Sequence, residues 1–254
     1  LPSFTRSSLW TSLLPMPTYT HRFVLILATV LALAGCGQQS VGPATDAAWQ
    51  SVRDGDLPRL AKRLAAVPGL ANAVNSVGNS LLYEAVGSPD IGVIEHLLNN
   101  GAEVNFQNQF GRTPLHRAAD ENREAVVRLL LTNGAEVNAR DCRGSTPLIA
   151  SAEFAGLPVL KLLVEAGADV PTGNLYGRSA LHNAAKRDDS AAAEFLIEHG
   201  ARLNQVCEYG TPLDLTANCE IAEVLRIAGG AASSDKSIAS RTHDNYLTPL
   251  PSEK

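Results

Sequence analysis

Residues 111–138 read GRTPLHRAADENREAVVRLLLTNGAEVN. Thr113 is a helix N-cap by type, with a hydroxyl that can accept a hydrogen bond from an early helical N–H. Pro114 follows at the first helical position, where its missing N–H has no intrahelical partner to lose. Leu115, Ala118 and Ala119 give that helix a face of small side chains, fit for close approach of a neighbour. After a short turn, Val126, Val127, Leu130 and Leu131 recur at helical spacing. Gly134 then ends the second helix as a left-handed C-terminal glycine does. Glu136 to Gly144 is a polar reversal, so the unit is turn, helix, loop, helix.

The unit recurs. Thr113-Pro114-Leu115-His116 is followed by Thr146-Pro147-Leu148-Ile149, Ser179-Ala180-Leu181-His182 and Thr211-Pro212-Leu213-Asp214, at offsets of 33, 33 and 32 residues. Gly101-Ala102, Gly134-Ala135, Gly167-Ala168 and Gly200-Ala201 keep a 33-residue beat. The second-helix apolar positions align as Leu60/Ala61/Leu64, Val93/Ile94/Leu97, Val126/Val127/Leu130, Val159/Leu160/Leu163 and Ala192/Ala193/Leu196. Ser88-Pro89 and Leu157-Pro158 are read as second-helix starts with Pro in the first turn. A fixed period of this length means a solenoid in which each unit buries its apolar face against its neighbours. The function to look for is therefore an extended binding surface before an active-site pocket.

The pattern GRTPLHRAA…VVRLLLTNGAEVN resembles the ankyrin repeat, in register over residues 46–230. The fold expected is an all-α ankyrin-repeat solenoid of helix-turn-helix units with short hairpin-like turns, about five to six repeats including degenerate caps. Units 79–111, 112–144 and 145–177 match well, and Gly177 to Ala201 makes a fourth. The first unit has Ala47-Ala48-Trp49-Gln50 in place of the signature, and Arg59, Lys62 and Arg63 are expected outward. The last unit lacks one residue between Gly210 and Thr211, and Ile221 to Ile227 is expected to be a stub.

Ahead of the repeats, Phe23 to Ala34 is a run of 12 residues, apolar except for Thr29, behind His21-Arg22. A membrane-spanning helix needs about 20 residues, whereas a signal-peptide core needs about 7–15. Leu33-Ala34-Gly35-Cys36 closes the run and resembles the lipobox of bacterial lipoproteins. The resemblance implies cleavage before Cys36, acylation of Cys36, and membrane anchoring without spanning. Gly37, where Asp would be the alternative, resembles the type sorted to the outer membrane, facing the periplasm. The signal is better formed from Met16, so Leu1 to Pro15 reads as an over-extended gene start. The division expected is 1–35 signal peptide, 36–45 lipidated Cys and flexible tether, 46–230 repeats, and 231–254 disordered tail.

Of 254 residues, 45% are hydrophobic and 19% charged, ordinary values for a globular chain. The formal charge is −5. Removing 1–35 takes away Arg6 and Arg22 and no acid, leaving −7. That balance excludes nucleic acid as the expected partner, since affinity there comes from neutralising phosphates. Cys142, Cys207 and Cys219 are odd in number and not in CxxC spacing, so a disulfide framework is not expected.

His116 and His182 share a column. No Cys/Asp/Glu cluster at ligand spacing accompanies them, and the ankyrin resemblance implies a His that ties adjacent turns through backbone. No metal and no cofactor are expected. His96 reads as a half-buried packing residue, and His199 as a helix-end imidazole suited to the dipole. Asp188-Asp189 read as solvated carboxylates in an inter-helix turn. No nucleophile-elbow, zinc-protease, phosphate-loop or dinucleotide pattern is present, so no catalytic residue and no enzyme is expected.

In ankyrin proteins, partners are contacted by hairpin tips and the exposed side of the first helix. The residues before each turn glycine are Val77, Phe110, Arg143, Tyr176 and Tyr209, preceded by Gln109 and Leu175 in two of the turns. Arg112 and Arg178 follow two of the glycines. Phe154 stands on the first-helix surface beside Glu153, where Asp120/Glu121 and Lys186/Arg187 are the matching positions. These types are enriched in binding hot spots, and the candidate partner-binding set is Val77, Gln109, Phe110, Arg112, Arg143, Phe154, Leu175, Tyr176, Arg178 and Tyr209. The competing account is that these side chains pack over neighbouring tips. The expected function is that of a monomeric, lipid-anchored envelope protein that binds a partner protein. An immunity protein neutralising a secreted toxic effector is one alternative, and a support factor for a periplasmic enzyme in oxidative stress is another. A hydrolase relying on Asp188 or His182 is the reading from a different class.

Overall fold

The computed structural model describes residues 43–154 and 156–233. The leader, Cys36, most of the tether and most of the tail lie outside the described residues. The chain divides at Gln39, and everything described belongs to the unit Ser40–Lys254.

Twelve α-helices form six pairs among the described residues. The first helices of the pairs are α1 (Pro43–Asp54), α3 (Leu81–Ala85), α5 (Pro114–Asp120), α7 (Pro147–Phe154), α9 (Ala180–Lys186) and α11 (Pro212–Leu215). The second helices are α2 (Leu57–Ala66), α4 (Ile91–Asn99), α6 (Glu124–Thr132), α8 (Leu157–Glu165), α10 (Ser190–Glu198) and α12 (Cys219–Ile227). First helices pack on first helices, α1 to α3 and so on to α11, and second helices on second helices in the same order. Each helix also packs on its partner within the pair. The result is the stack expected from the 33-residue period.

Local chemistry explains each pair. Ser80 caps α3, its hydroxyl accepting from Tyr83 N at 3.1 Å, and Thr113 caps α5 with Pro114 behind it. Leu115, Ala118 and Ala119 are fully buried, and α5 lies between α3 and α7. Val126, Val127 and Leu130 of α6 are buried against α4 and α8. Each such aliphatic side chain contributes about 1.5–3 kcal/mol through burial. Gly134 closes α6 at φ +84°, in open space, a conformation that disfavours L side chains.

Several expectations are corrected. Pro89 precedes the N-cap Asp90 of α4 and is not in its first turn, because Asp90 accepts from Gly92 N at 2.8 Å and sets the start there. The stub of the last pair is its first helix: α11 has 4 residues, while α12 has 9, as many as α10. The chain leaves α11 at Thr216 in an extended conformation. Thr216 Oγ1 and Asn218 N then both donate to Asp188 Oδ1, at 2.8 and 3.2 Å. Asp188 is therefore a tie between the last two pairs, and Asp189 caps α10 by accepting from Ala192 N at 3.0 Å. Neither is a simply solvated carboxylate.

Helix α1 begins at Pro43, inside the stretch read as tether. The first residues of the stretch read as tail are held: Ala231 N donates to Asn204 Oδ1 at 2.7 Å, Ala231 O accepts from Thr211 Oγ1 at 2.9 Å, and Ser233 N donates to Asp214 Oδ2 at 2.8 Å. No helix among the described residues is long and apolar enough to cross a membrane.

Candidate partner-binding surface

The reversals between pairs are hairpins built around one side chain. Asn108 Oδ1 accepts from Phe110 N and Arg112 N, both at 3.0 Å. Asn75, Asp141 and Asn174 do the same in their hairpins. A short amide or carboxylate that bonds backbone two residues on mimics a turn, which fixes the tip residues at a common height. The fifth hairpin has Cys207 at this place, its sulfur 3.4 Å from Tyr209 N.

Successive tips lie on one another. Cys142 N donates to Phe110 O at 2.9 Å, and Leu175 N to Arg143 O at 3.0 Å. A second ladder runs between the hairpin bases and the helix ends. Asn72, Asn105 and Asn138 each donate Nδ2 to the carbonyl of a glycine about one repeat on (Gly101, Gly134, Gly167) and accept from Glu103, Glu136 and Asp169 N. Neither set of side chains was singled out from the sequence, although Asn72, Asn105 and Asn138 stand 33 residues apart.

On this scaffold Phe110 is 53% exposed, Phe154 60%, Leu175 75% and Tyr176 53%. Val77, Gln109 and Arg143 are exposed as well. Three candidates are differently placed. Arg112 forms an ion pair with Asp120. Arg178 stands 3.9 Å from Glu153 and lies over the Tyr209 ring, 5.8 Å from its centre. Tyr209 is thus half-buried and does not stand free beside Tyr176. The missing residue before Thr211 explains this: Cys207 and Gly210 exchange two backbone hydrogen bonds, at 2.9 and 3.1 Å, and close a tighter hairpin. Val206, which the sequence reading passed over, is exposed there.

The charged side chains of the first-helix face are largely engaged with one another. Arg117 bonds Glu84 at 3.0 Å and Glu121 at 2.7 Å, donates to Tyr83 O, and lies over the Tyr83 ring. Burial raises the Asp120 carboxyl above its usual range, and the Arg112 charge opposes that shift. Arg123 reaches back to Val86 O, and Arg187 donates to Glu153 O at 3.0 Å. An open, polar cavity of about 410 Å³ lies between the first two pairs, lined by residues that include Asp46, Trp49, Arg53 and Glu84.

The shared histidines act as the column implied. His116 Nδ1 accepts from Thr113 N at 3.2 Å, and its Nε2–H faces Ser145 O at 3.0 Å. His182 repeats this with Ser179 N at 3.1 Å and Gly210 O at 3.3 Å. Both rings are fully buried, and burial lowers both pKa values, that of His182 to about 4. His96 is half-buried, and the exposed His199 bonds Phe195 O at 2.7 Å at the end of α10. Among the described residues, no group of three or more His, Cys, Asp or Glu is placed to hold a metal ion.

A family model described as ankyrin repeats (3 copies) matches residues 82–174 and 148–235, together more than half of the chain. No curated protein matches it. Ankyrin repeats are protein–protein interaction scaffolds in general and are typically not enzymes. The 33-residue period, the six stacked helix pairs and this match place the chain in the ankyrin-repeat family.

Proposed function

We propose that the protein is held at the bacterial envelope by an acylated Cys36 and binds one partner protein through its hairpin tips and first-helix face. The observation that carries the binding half is the exposed set Phe110, Phe154, Leu175 and Tyr176, on the face where Arg117 pairs with Glu84 and Glu121 and Arg112 with Asp120. Large exposed apolar side chains that cluster mark interaction sites, and engaged charges leave the apolar groups as the free binding capacity. Support for the anchor is the apolar run ending in Leu33-Ala34-Gly35-Cys36, which fits a cleaved and lipidated leader better than a span.

Site-specific photo-crosslinking in cells tests the binding face. A crosslinker at Tyr176 should capture a discrete product, and one at Glu95 on α4 should not. The variant Phe110→Ala/Phe154→Ala should lose that product while keeping its urea midpoint within about 1 kcal/mol, as exposed substitutions do. Equal capture from both positions, or capture undiminished in the variant, would overturn the assignment. Radiolabelled palmitate tests the anchor, because label retained by Cys36→Ala would exclude it.

A further inference from the structure

The N-terminal pair carries a charge pattern that no other pair repeats. Helix α2 reads LPRLAKRLAA, with Arg59, Lys62 and Arg63 and no acid within its span. The other five second helices are neutral or acidic: α4 has Glu95 alone, α6 and α8 each carry one cation and one acid, α10 has Glu194 and Glu198, and α12 has two acids against Arg226. Leu60 and Leu64 are buried, so the cations stand on the opposite, outward side. Arg59 and Lys62 are exposed and Arg63 is half-exposed. Together with Ala66 and Val67 they line an open groove of about 420 Å³. Asp54 and Asp56, just ahead of α2, are formally negative and make local bonds: Asp54 accepts from Gln50 at 2.7 Å, and Asp56 caps the helix through Arg59 N at 3.0 Å.

From these residues we infer that the outward face of α2 docks on an anionic phospholipid surface. The apolar face of α2 is used in the core through Leu60 and Leu64, so the attraction is that of clustered cations to anionic headgroups, about 1 kcal/mol for each cation near the surface. Chain length points to the same occupant, and this step rests on the Cys36 anchor proposed above. Six residues lie between Cys36 and Pro43, and the seven steps reach at most about 25 Å even when fully extended. An acylated Cys36 would therefore keep the first pair within about 25 Å of the bilayer. The surface potential acts over a Debye length of about 8–10 Å, which a first pair tethered this closely can reach. Docking by α2 would leave the apolar tips of the later hairpins free for a partner.

The test uses the unit Ser40–Lys254, which lacks Cys36 and the apolar run, so its outcome is separate from that of the anchor. This unit has a formal charge of −7, the chain's −5 less Arg6 and Arg22, and bulk charge alone predicts repulsion from anionic vesicles. Flotation with phosphatidylcholine vesicles containing phosphatidylglycerol should recover it, and pure phosphatidylcholine should not. Each cation near such a surface is worth about five-fold in partitioning, so Arg59→Gln/Lys62→Gln should weaken binding about 25-fold. Salt at about 0.5 M should have a similar effect. Arg59→Lys keeps the charge and should bind as the unaltered unit does. No preference for phosphatidylglycerol, an undiminished preference in the double variant, or loss in Arg59→Lys would overturn the proposal.

Discussion

The asparagine ladder has a missing rung. In register with Asn72, Asn105 and Asn138, the next position is Pro171, and the ladder resumes at Asn204, which bonds Gly229 O at 3.2 Å and accepts from Ala231 N at 2.7 Å. By the geometry of the other rungs, Asn at 171 would donate to Gly200 O and accept from Arg202 N. Each net hydrogen bond is worth about 0.5–1.5 kcal/mol, and these would lie at the exposed surface, which argues for the low end. Losing proline loosens the unfolded chain, at a cost of about 0.4–1 kcal/mol. Two bonds at the low end give about 1 kcal/mol, and subtracting the proline term of about 0.4–1 kcal/mol leaves Pro171→Asn stabilising the unit Ser40–Lys254 by at most about 0.6 kcal/mol, read as a urea midpoint or a rise of no more than about 2 °C in Tm. The converse, Asn138→Ala, removes bonds of 3.1 and 2.9 Å and should cost about 1–2 kcal/mol. Hydrogen exchange gives the local readout, because the Arg202 amide should slow in Pro171→Asn. If Pro171→Asn destabilises the unit, or leaves Arg202 exchange unchanged, the ladder does not couple the pairs as argued.

Three other perturbations follow from the same geometry. The unfolded His182 takes up a proton near pH 6.5 that the folded ring refuses until about pH 4, so this stability is complete above pH 6.5 and is lost as pH falls through that window, by about 3 kcal/mol in all. His116 shifts in the same direction, and urea midpoints taken between pH 7 and 4 should fall less steeply in His182→Gln. Gly111 has φ +72°, and a Cβ there would meet Cys142 N at 2.9 Å, whereas Gly134 at φ +84° faces open space. Gly134→Ala should then cost about 1–2 kcal/mol and Gly111→Ala clearly more, by the same urea titration. In the native unit Ser40–Lys254, a thiol reagent should modify the exposed Cys142 and Cys219 quickly and the buried Cys207 slowly, since burial also raises the Cys207 pKa.

How much of this was legible in the sequence depends on the kind of residue. The helix pairs were, because Thr113-Pro114, the buried Leu and Ala columns and Gly134 act within a few residues of one another. The histidine ties were, through the repeat resemblance. The cross-repeat polar bonds were passed over even where the period displayed them, as for Asn72, Asn105 and Asn138, because an exposed asparagine in a loop carries no apolar signal. The fifth hairpin misled for a geometric reason. One missing residue leaves Tyr209 in column with Tyr176 by counting from Gly210, yet the tighter turn places it under Arg178, while Val206 is exposed as Gln107 and Arg140 are at the matching positions. The same deletion goes with a shortened α11, where the sequence pointed to a shortened second helix.

The distribution of cross-repeat bonds bears on the binding proposal itself. Pairs two to four carry the Asn105 and Asn138 rungs, the Arg117 and Arg123 staples and the two tip-to-tip bonds. Phe110, Phe154, Leu175 and Tyr176 all stand on that stretch. Around and beyond Tyr176 the bonds change in kind: the Pro171 rung is absent and the fifth hairpin changes register, while Asn183 Nδ2 donates to Ile149 O at 2.9 Å and Gln205 Nε2 to Gly177 O at 2.7 Å. In a solenoid, stability is a sum of unit and interface terms, so each cross-repeat bond also fixes the neighbouring units on which the exposed side chains stand. A surface held in its bound arrangement before binding loses less entropy on association. The cross-repeat bonds thus serve recognition as well as stability, by fixing the spacing of side chains that stand more than half exposed.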